Sequence, residues 1–269
     1  MSRFYSIFKF IQHRLHSRRW DSFHSPYLFN LFTYCCDHKI VFPEIEGIES
    51  HRNKLIHSKE TINRTDFGAG MTISDNQHEK RISSIARQSL SLPFQCRFLY
   101  KLMQLTKPEI CIEFGTCLGI TSLYLSYGAD AGKIISIEGD PAIASMAKHI
   151  FEEMQIKNIT SINSTFEDFI NQDLKELETI DFIFIDGNHR SGPLLSYYHA
   201  LKPHLRSNTI IMVDDIYWSS DMNSGWTSLT EMPEVTQSVD CFQFGLLFFS
   251  SDFISNQNHI IRLPLKSII

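Results

Sequence analysis

The stretch that most constrains this chain is residues 110–126, ICIEFGTCLGITSLYLS. Three strand formers, Ile110, Cys111 and Ile112, lead into Glu113, Phe114 and Gly115. A tight turn follows, then Gly119 and a helical spacing of apolar residues through Ile120, Leu123 and Tyr124. This order reads as strand, glycine turn and helix start. Such a turn presents backbone N–H groups at the carboxyl edge of a parallel sheet, where small polar or anionic ligands bind. A second strand, residues 133–137, ends in Glu138, a carboxylate placed to accept both hydroxyls of a ribose. The pattern points to a ligand that carries a nucleoside.

The turn chemistry selects among nucleoside ligands. A dinucleotide fingerprint needs glycines that let a pyrophosphate approach the backbone, but here Cys117 and Leu118 crowd the turn between Gly115 and Gly119. No Gly-Lys-Ser or Gly-Lys-Thr follows either glycine, so a phosphate-cradling loop is absent. The E-x-G-x-x-x-G turn followed by I-x-x-I-E resembles the first two motifs of class I S-adenosylmethionine-dependent methyltransferases. In that family the turn holds the methionine end of the cofactor and the second acid holds its ribose.

Around this centre, strands alternate with helices. Helices are expected over residues 93–105 and 141–154, and strands over 159–162, 180–185 and 209–213. That alternation predicts an α/β fold, a doubly wound, mostly parallel sheet covered on both faces. Beyond Trp226, residues 235–239 and 244–249 read as two strands with no helix between them, a closing antiparallel pair. The resemblance implies seven strands in all and a Rossmann-like methyltransferase domain over residues 93–269, preceded by a helical cap region over residues 1–92. At its start apolar residues fall at Phe4, Ile7, Phe8, Ile11 and Leu15, and up to Trp20 Arg3, Lys9, Arg14, Arg18 and Arg19 supply only positive charge. This is a basic amphipathic helix, expected to bury its apolar stripe on its own domain and leave a solvated basic face, with a membrane-surface helix as the rival reading. Ser25-Pro26 opens a second helix, and helical patterns recur near residues 43–58 and 81–90. Asp66-Phe-Gly-Ala-Gly70 lacks a preceding apolar strand and is read as a loop.

Strand four ends in Asp186-Gly-Asn-His189, and strand five in Asp214-Asp215. Carboxyl ends of parallel strands converge on one pocket. A lone strand-end Asp is as readily a turn or helix cap; three at two successive ends weigh toward a site. Here the sequence is similar to the cation-dependent catechol and caffeoyl-CoA O-methyltransferases and to the macrocin type. The first group implies Asp186, Asp214 and Asp215 as ligands of magnesium or another divalent cation, with His189 at the position of the catalytic base and Asp186 beside it. Two departures are plain: Asp215 stands where the family has Asn, and His189 where it has Lys. The resemblance further assigns Glu113, Gly115, Thr116, Cys117, Gly119 and Thr121 to the methionine end of the cofactor, Glu138 and Gly139 to the ribose, and Thr165 and Phe166 to the adenine; a competing account gives Asp186 to the cofactor's amino group and leaves Asp214 and Asp215 as helix or loop caps and His189 as a structural hydrogen-bond donor.

Composition narrows the setting. A net charge of -5 gives no general attraction to nucleic acid. Six cysteines without a C-x-x-C pair suit buried thiols in a reducing compartment, and the first twenty residues form neither signal peptide nor membrane span. The expectation is a cytoplasmic enzyme that methylates an oxygen of a small molecule, with no nucleic-acid partner, no stable membrane association, and a homodimer left open. No N-P-P-Y or D-P-P-Y follows strand four, which argues against methylation at an amide or nucleobase nitrogen. The alternatives carried are an aminopropyltransferase of the same fold and a non-catalytic cofactor-binding protein.

Overall fold

The computed structural model describes residues 3–37, 42–65, 77–253 and 256–263. The segment Asp66–Gly70, read above as a loop, lies outside these residues. In chain order the N-terminal third contains α1 (Arg3–His16), a short β1 (Arg18–Arg19), α2 (Pro26–Cys36), α3 (Pro43–His57), the strands β2 (Thr61–Thr65) and β3 (Gln77–Arg81), and α4 (Ile82–Ser89). After α5 (Pro93–Thr106) come β4 (Ile110–Phe114), α6 (Ile120–Ala129), β5 (Lys133–Glu138), α7 (Pro141–Glu153) and β6 (Ile159–Asn163). The alternation continues through α8 (Phe166–Gln172), β7 (Ile180–Ile185), α9 (Ser191–Leu201), β8 (Leu205–Asp214) and α10 (Ser220–Thr230). It closes with β9 (Gln237–Asp240), β10 (Phe244–Phe248) and β11 (Gln257–Arg262).

The strands form one sheet in the order β1-β11-β9-β10-β8-β7-β4-β5-β6, with β2 and β3 pairing separately. Only β10 runs against its neighbours in the large sheet. The expected seven-stranded sheet with an antiparallel pair is present as β6-β5-β4-β7-β8-β10-β9, and two strands extend it: β11, parallel to β9, and β1 from the N-terminal region. Neither was foreseen, since β1 is two residues long and β11 alternates weakly. Thr61–Thr65 is likewise a strand, formed by pairing with β3 despite its polar sequence.

Period-two alternation divides the strand side chains between two cores. Cys111, Phe182, Phe184, Ile210 and Met212 face α2 and α5, while Ile112, Phe114, Ile183, Ile185, Ile211 and Val213 face α9 and α10. Leu28, Leu31 and Phe32 of α2 belong to the same core as Phe98 and Phe244, so the boundary drawn at residue 92 does not separate two cores. Ser25 caps α2 as its sequence predicts, accepting the N–H of Leu28, with Pro26 at the first helical position.

One carboxylate ties the N-terminal strand pair to the sheet. Asp140, fully buried after β5, accepts the N–H groups of Ala142 and Ile143 at the start of α7 and also receives Arg64 Nε (3.2 Å) and the Thr65 N–H (3.0 Å). Removing it leaves these donors unpaired. Asp140→Ala is therefore expected to lower unfolding stability by about 1–3 kcal/mol, measured by denaturant titration; an unchanged midpoint would mean the cap and the tie are replaced by water at no cost.

Candidate functional site

The turn after β4 is dictated by crowding. Gly115 has φ 109°, and a Cβ there would overlap the Asp186 carbonyl oxygen of the adjacent strand end. Only glycine permits this approach. Its N–H and that of Thr116 both donate to the carbonyl of Ile137 (3.0 and 3.1 Å), and Asp186 N–H donates to Phe114 (2.9 Å). Three strand ends, β4, β5 and β7, are thereby stitched at one level. Gly119, with φ 78°, opens α6 where a Cβ would meet the Phe151 ring at 2.8 Å.

Above these strand ends lies a cavity of about 720 Å3, within the range of small-molecule sites. Of the sequence-assigned residues, Gly115, Cys117, Glu138, Gly139, Thr165, Phe166, Asp186, His189, Asp214 and Asp215 line it. Glu113, Thr116, Gly119 and Thr121 stand behind its wall. Glu113 is fully buried; Ser122 and Ser136 donate to its Oε2 while its Oε1 has no partner. Burial raises this carboxyl to about 7, and the two hydroxyls oppose that rise. Thr116 bonds Ser136, and Thr121 bonds Ser91, which itself reaches the cavity.

Glu138 fills the position its strand predicts. One carboxylate oxygen accepts the Cys117 N–H (2.9 Å) and the other the Asp140 N–H (3.0 Å). Burial raises its proton affinity, and the two N–H groups partly offset the rise. Cys117 takes a left-handed conformation, φ 47°, to bring its N–H there. At the same end Thr165 caps α8, and Phe166 lies across Gly187 and packs edge-on to Phe114 at 5.2 Å.

The acids of the next two strands face one another across the cavity. Burial holds Asp186 well above the ordinary Asp range, and Asp215, Glu113 and Glu138 push it further. Asp214 is raised in the same way by burial, Asp186 and Asp215, although Gln95 donates an amide N–H to it. Asp215 adopts φ 51°, and its N–H bonds the Gln243 carbonyl (2.7 Å). His189 Nε2 stands 4.0 Å from Asp186 Oδ1, its Nδ1 is buried without a partner, and its ring lies 5.2 Å from that of Trp218. Burial lowers the His189 pKa, and Asp215 counters it. The imidazole is thus neutral near pH 7, with a free nitrogen.

Several lining residues had no sequence signal. Arg64 and Thr65 come from the N-terminal strand pair, Ser91 and Gln95 from the turn into α5, and Gln243 from the β9–β10 turn. Gln95 is a polar residue among the buried positions of α5, and Trp218 is a half-exposed aromatic just after the acid pair; those were the available hints.

Comparison with known proteins gives the class. Residues 112–216 match the family model described as a methyltransferase domain, a span that runs from β4 past the acid pair. No curated protein matches the sequence significantly. Among solved structures, an O-methyltransferase of Bacillus cereus in complex with SAH superposes with TM-score 0.57 at 16% identity, covering 80% of this chain and 96% of that one. Methyltransferase PaMTH1 of Podospora anserina, also SAH-bound, gives 0.56 at 16%, covering 85% and 97%. The O-methyltransferase TomG of Streptomyces achromogenes, involved in tomaymycin synthesis and solved with SAM, gives 0.53 at 18%, covering 61% and 82%. The fold is of the Rossmann-like methyltransferase type, and residues 112–216 match the methyltransferase-domain model.

The electrostatics of the site yield a sign that can be checked. Asp215 is the charge that supports protonation of His189 against burial, so Asp215→Asn should lower the His189 pKa further. Titration of the imidazole resonances by NMR measures this; a rise would contradict the role given to Asp215 as the charge that favours the protonated ring.

Proposed function

We propose that this chain transfers the methyl group of S-adenosylmethionine to an oxygen of a small-molecule acceptor. The observation that carries the reading is Glu138, a strand-end carboxylate beside the Gly115 turn, opening on a cavity that also holds Asp186, Asp214, Asp215 and a neutral imidazole. When bound, the cofactor supplies an electrophilic methyl on a sulfonium sulfur, whose carbon–sulfur bond breaks as the acceptor oxygen bonds to the carbon. Each Glu138 oxygen has used one lone pair on a backbone N–H and keeps another for a ribose hydroxyl. Phe166 and Thr165 border the place for the base. Asp186, whose negative form is disfavoured by its neighbours, would be relieved by the cofactor's amino group or sulfonium. His189 would take the acceptor's proton, and the wall around it would hold oxygen and methyl in line.

A divalent cation on Asp186, Asp214 and Asp215 is the finer reading of the sequence. Their oxygens are of the hard type that suits magnesium. Among the described residues, however, no three acidic, His or Cys side chains are grouped to hold a metal, and Gln95 already engages Asp214. The residues as arranged do not fit the ion, and no step is assigned to it. Among the described residues no helix is long and apolar enough to cross a membrane. The six unpaired cysteines support a cytoplasmic setting.

Calorimetry with S-adenosylmethionine tests the cofactor. Glu138→Ala should weaken binding by roughly 1.5–3 kcal/mol; unchanged affinity in a folded variant would remove the ribose assignment. Labelled cofactor incubated with a metabolite extract identifies the acceptor by its labelled product, and an aminopropyl product would replace methyl transfer as the reaction. With that acceptor, His189→Ala should slow single turnover by about 10²–10⁴ and leave cofactor affinity unchanged. The wild-type rate should fall as pH drops through the lowered His189 pKa, below the ordinary value of about 6.5, because only the neutral ring accepts a proton. Turnover should persist in chelator, whereas loss restored by magnesium would show that the three acids rearrange into a metal site.

A further inference from the structure

Helix α1 is docked by the face opposite to the one its sequence marks for burial. Phe10 and His13 pack on Phe242, with ring centroids 5.1 and 5.4 Å apart. His13 Nε2 lies 3.2 Å from Asp240 Oδ1, and the Tyr5 hydroxyl donates to the Ser219 carbonyl. At 100° per residue, Phe10, His13 and Ser17 share one side of the helix, and Ile7, Phe8, Ile11 and Leu15 share the other. The stripe expected to be buried is open to water: Ile7 is 57% exposed, Phe8 65%, Ile11 53% and Leu15 77%. The sequence expectation for this helix is thereby corrected. Its apolar residues have the right period, but the aromatic ring of Phe10 and the buried His13 supply the contact with the domain.

An apolar stripe of four large side chains on one short helix marks an interaction surface. The charge around it says what kind. Up to Trp20 the chain carries Arg3, Lys9, Arg14, Arg18 and Arg19 and no acid, although its net charge is -5. Lys9 lies over the rings of Tyr5 and Tyr217 and Arg14 over Phe10, which holds both cations at the border between the docked and open faces. Arg18 is exposed just beyond the helix. A second copy meeting this one through the same stripe would bring two wholly basic helices together. An anionic lipid surface takes the apolar stripe and the cations at once.

We propose that α1 seats this protein on an anionic lipid surface, lying in the interfacial plane with Ile7, Phe8, Ile11 and Leu15 in the boundary of the acyl chains and Arg14 and Arg18 toward the headgroup phosphates. At 14 residues the helix is too short to span a bilayer, so it rests on one leaflet. The docked face rests against Tyr217 and Phe242, next to the Trp218 and Gln243 that line the cavity, so the lipid contact and the site share two loops.

The test is sedimentation of the full chain with vesicles of phosphatidylcholine alone and of phosphatidylcholine mixed with phosphatidylglycerol. The protein should bind the mixed vesicles, bind the neutral ones far more weakly, and lose affinity as salt screens the contact. Phe8→Asp combined with Ile11→Asp should weaken binding by roughly tenfold or more. Both residues are exposed, so the variant should keep its far-UV circular dichroism and thermal midpoint. Equal binding to both vesicles, no binding at low salt, or an undiminished double variant would overturn the proposal. So would a wild-type dimer in sedimentation equilibrium that the double variant converts to monomer without any vesicle binding, which would assign the stripe to self-association.

Discussion

The close approach of β4 and β7 at Gly115 is the constraint on which the rest of the site depends. Because no Cβ intervenes, the backbone of Asp186 lies directly against the turn, and the N–H groups of residues 115 and 116 reach across to Ile137. The three strand ends are then level, which places Glu138 and Asp186 on either side of one opening. A side chain at residue 115 would separate the strands and with them the two acids. The left-handed backbones of Cys117 and Asp215 each bring an N–H to a fixed acceptor.

Burial then sets the chemistry. Glu113, Glu138, Asp186, Asp214 and Asp215 all resist ionisation chiefly through burial; neighbouring acids add to this at Asp186 and Asp214, whereas hydrogen bonds oppose it at Glu113 and Glu138 and His189 opposes it at Asp215. A cavity with this arrangement favours a cationic ligand, and the same burial keeps His189 neutral. One physical cause thus underlies both parts of the proposal, a site for a sulfonium compound and His189 as the base.

The central strand-turn-helix, the strand order through the acids and the antiparallel closure were legible because they rest on apolar periodicity and on glycines whose positions have steric causes. Glu138, Asp186, His189, Asp214 and Asp215 were legible because strand ends converge in a parallel sheet. For Thr121 and Glu113 the pattern fixes their place in the chain, but whether a side chain points into a cavity or behind it depends on packing, here against Ser91, Ser122 and Ser136. Arg64 and Thr65 were invisible since a distant segment brings them to the wall. The orientation of α1 was missed because periodicity identifies an apolar face without saying what covers it; Phe10 and His13, off that face, found better partners in Phe242 and Asp240.

The most direct test of the account is a crystal structure with S-adenosylhomocysteine bound. The ribose hydroxyls should lie within hydrogen-bond distance of Glu138, with the sulfur turned toward Asp186 and His189. A ligand bound elsewhere, or one whose ribose makes no contact with Glu138, would contradict the reading of this cavity as the methyl-transfer site.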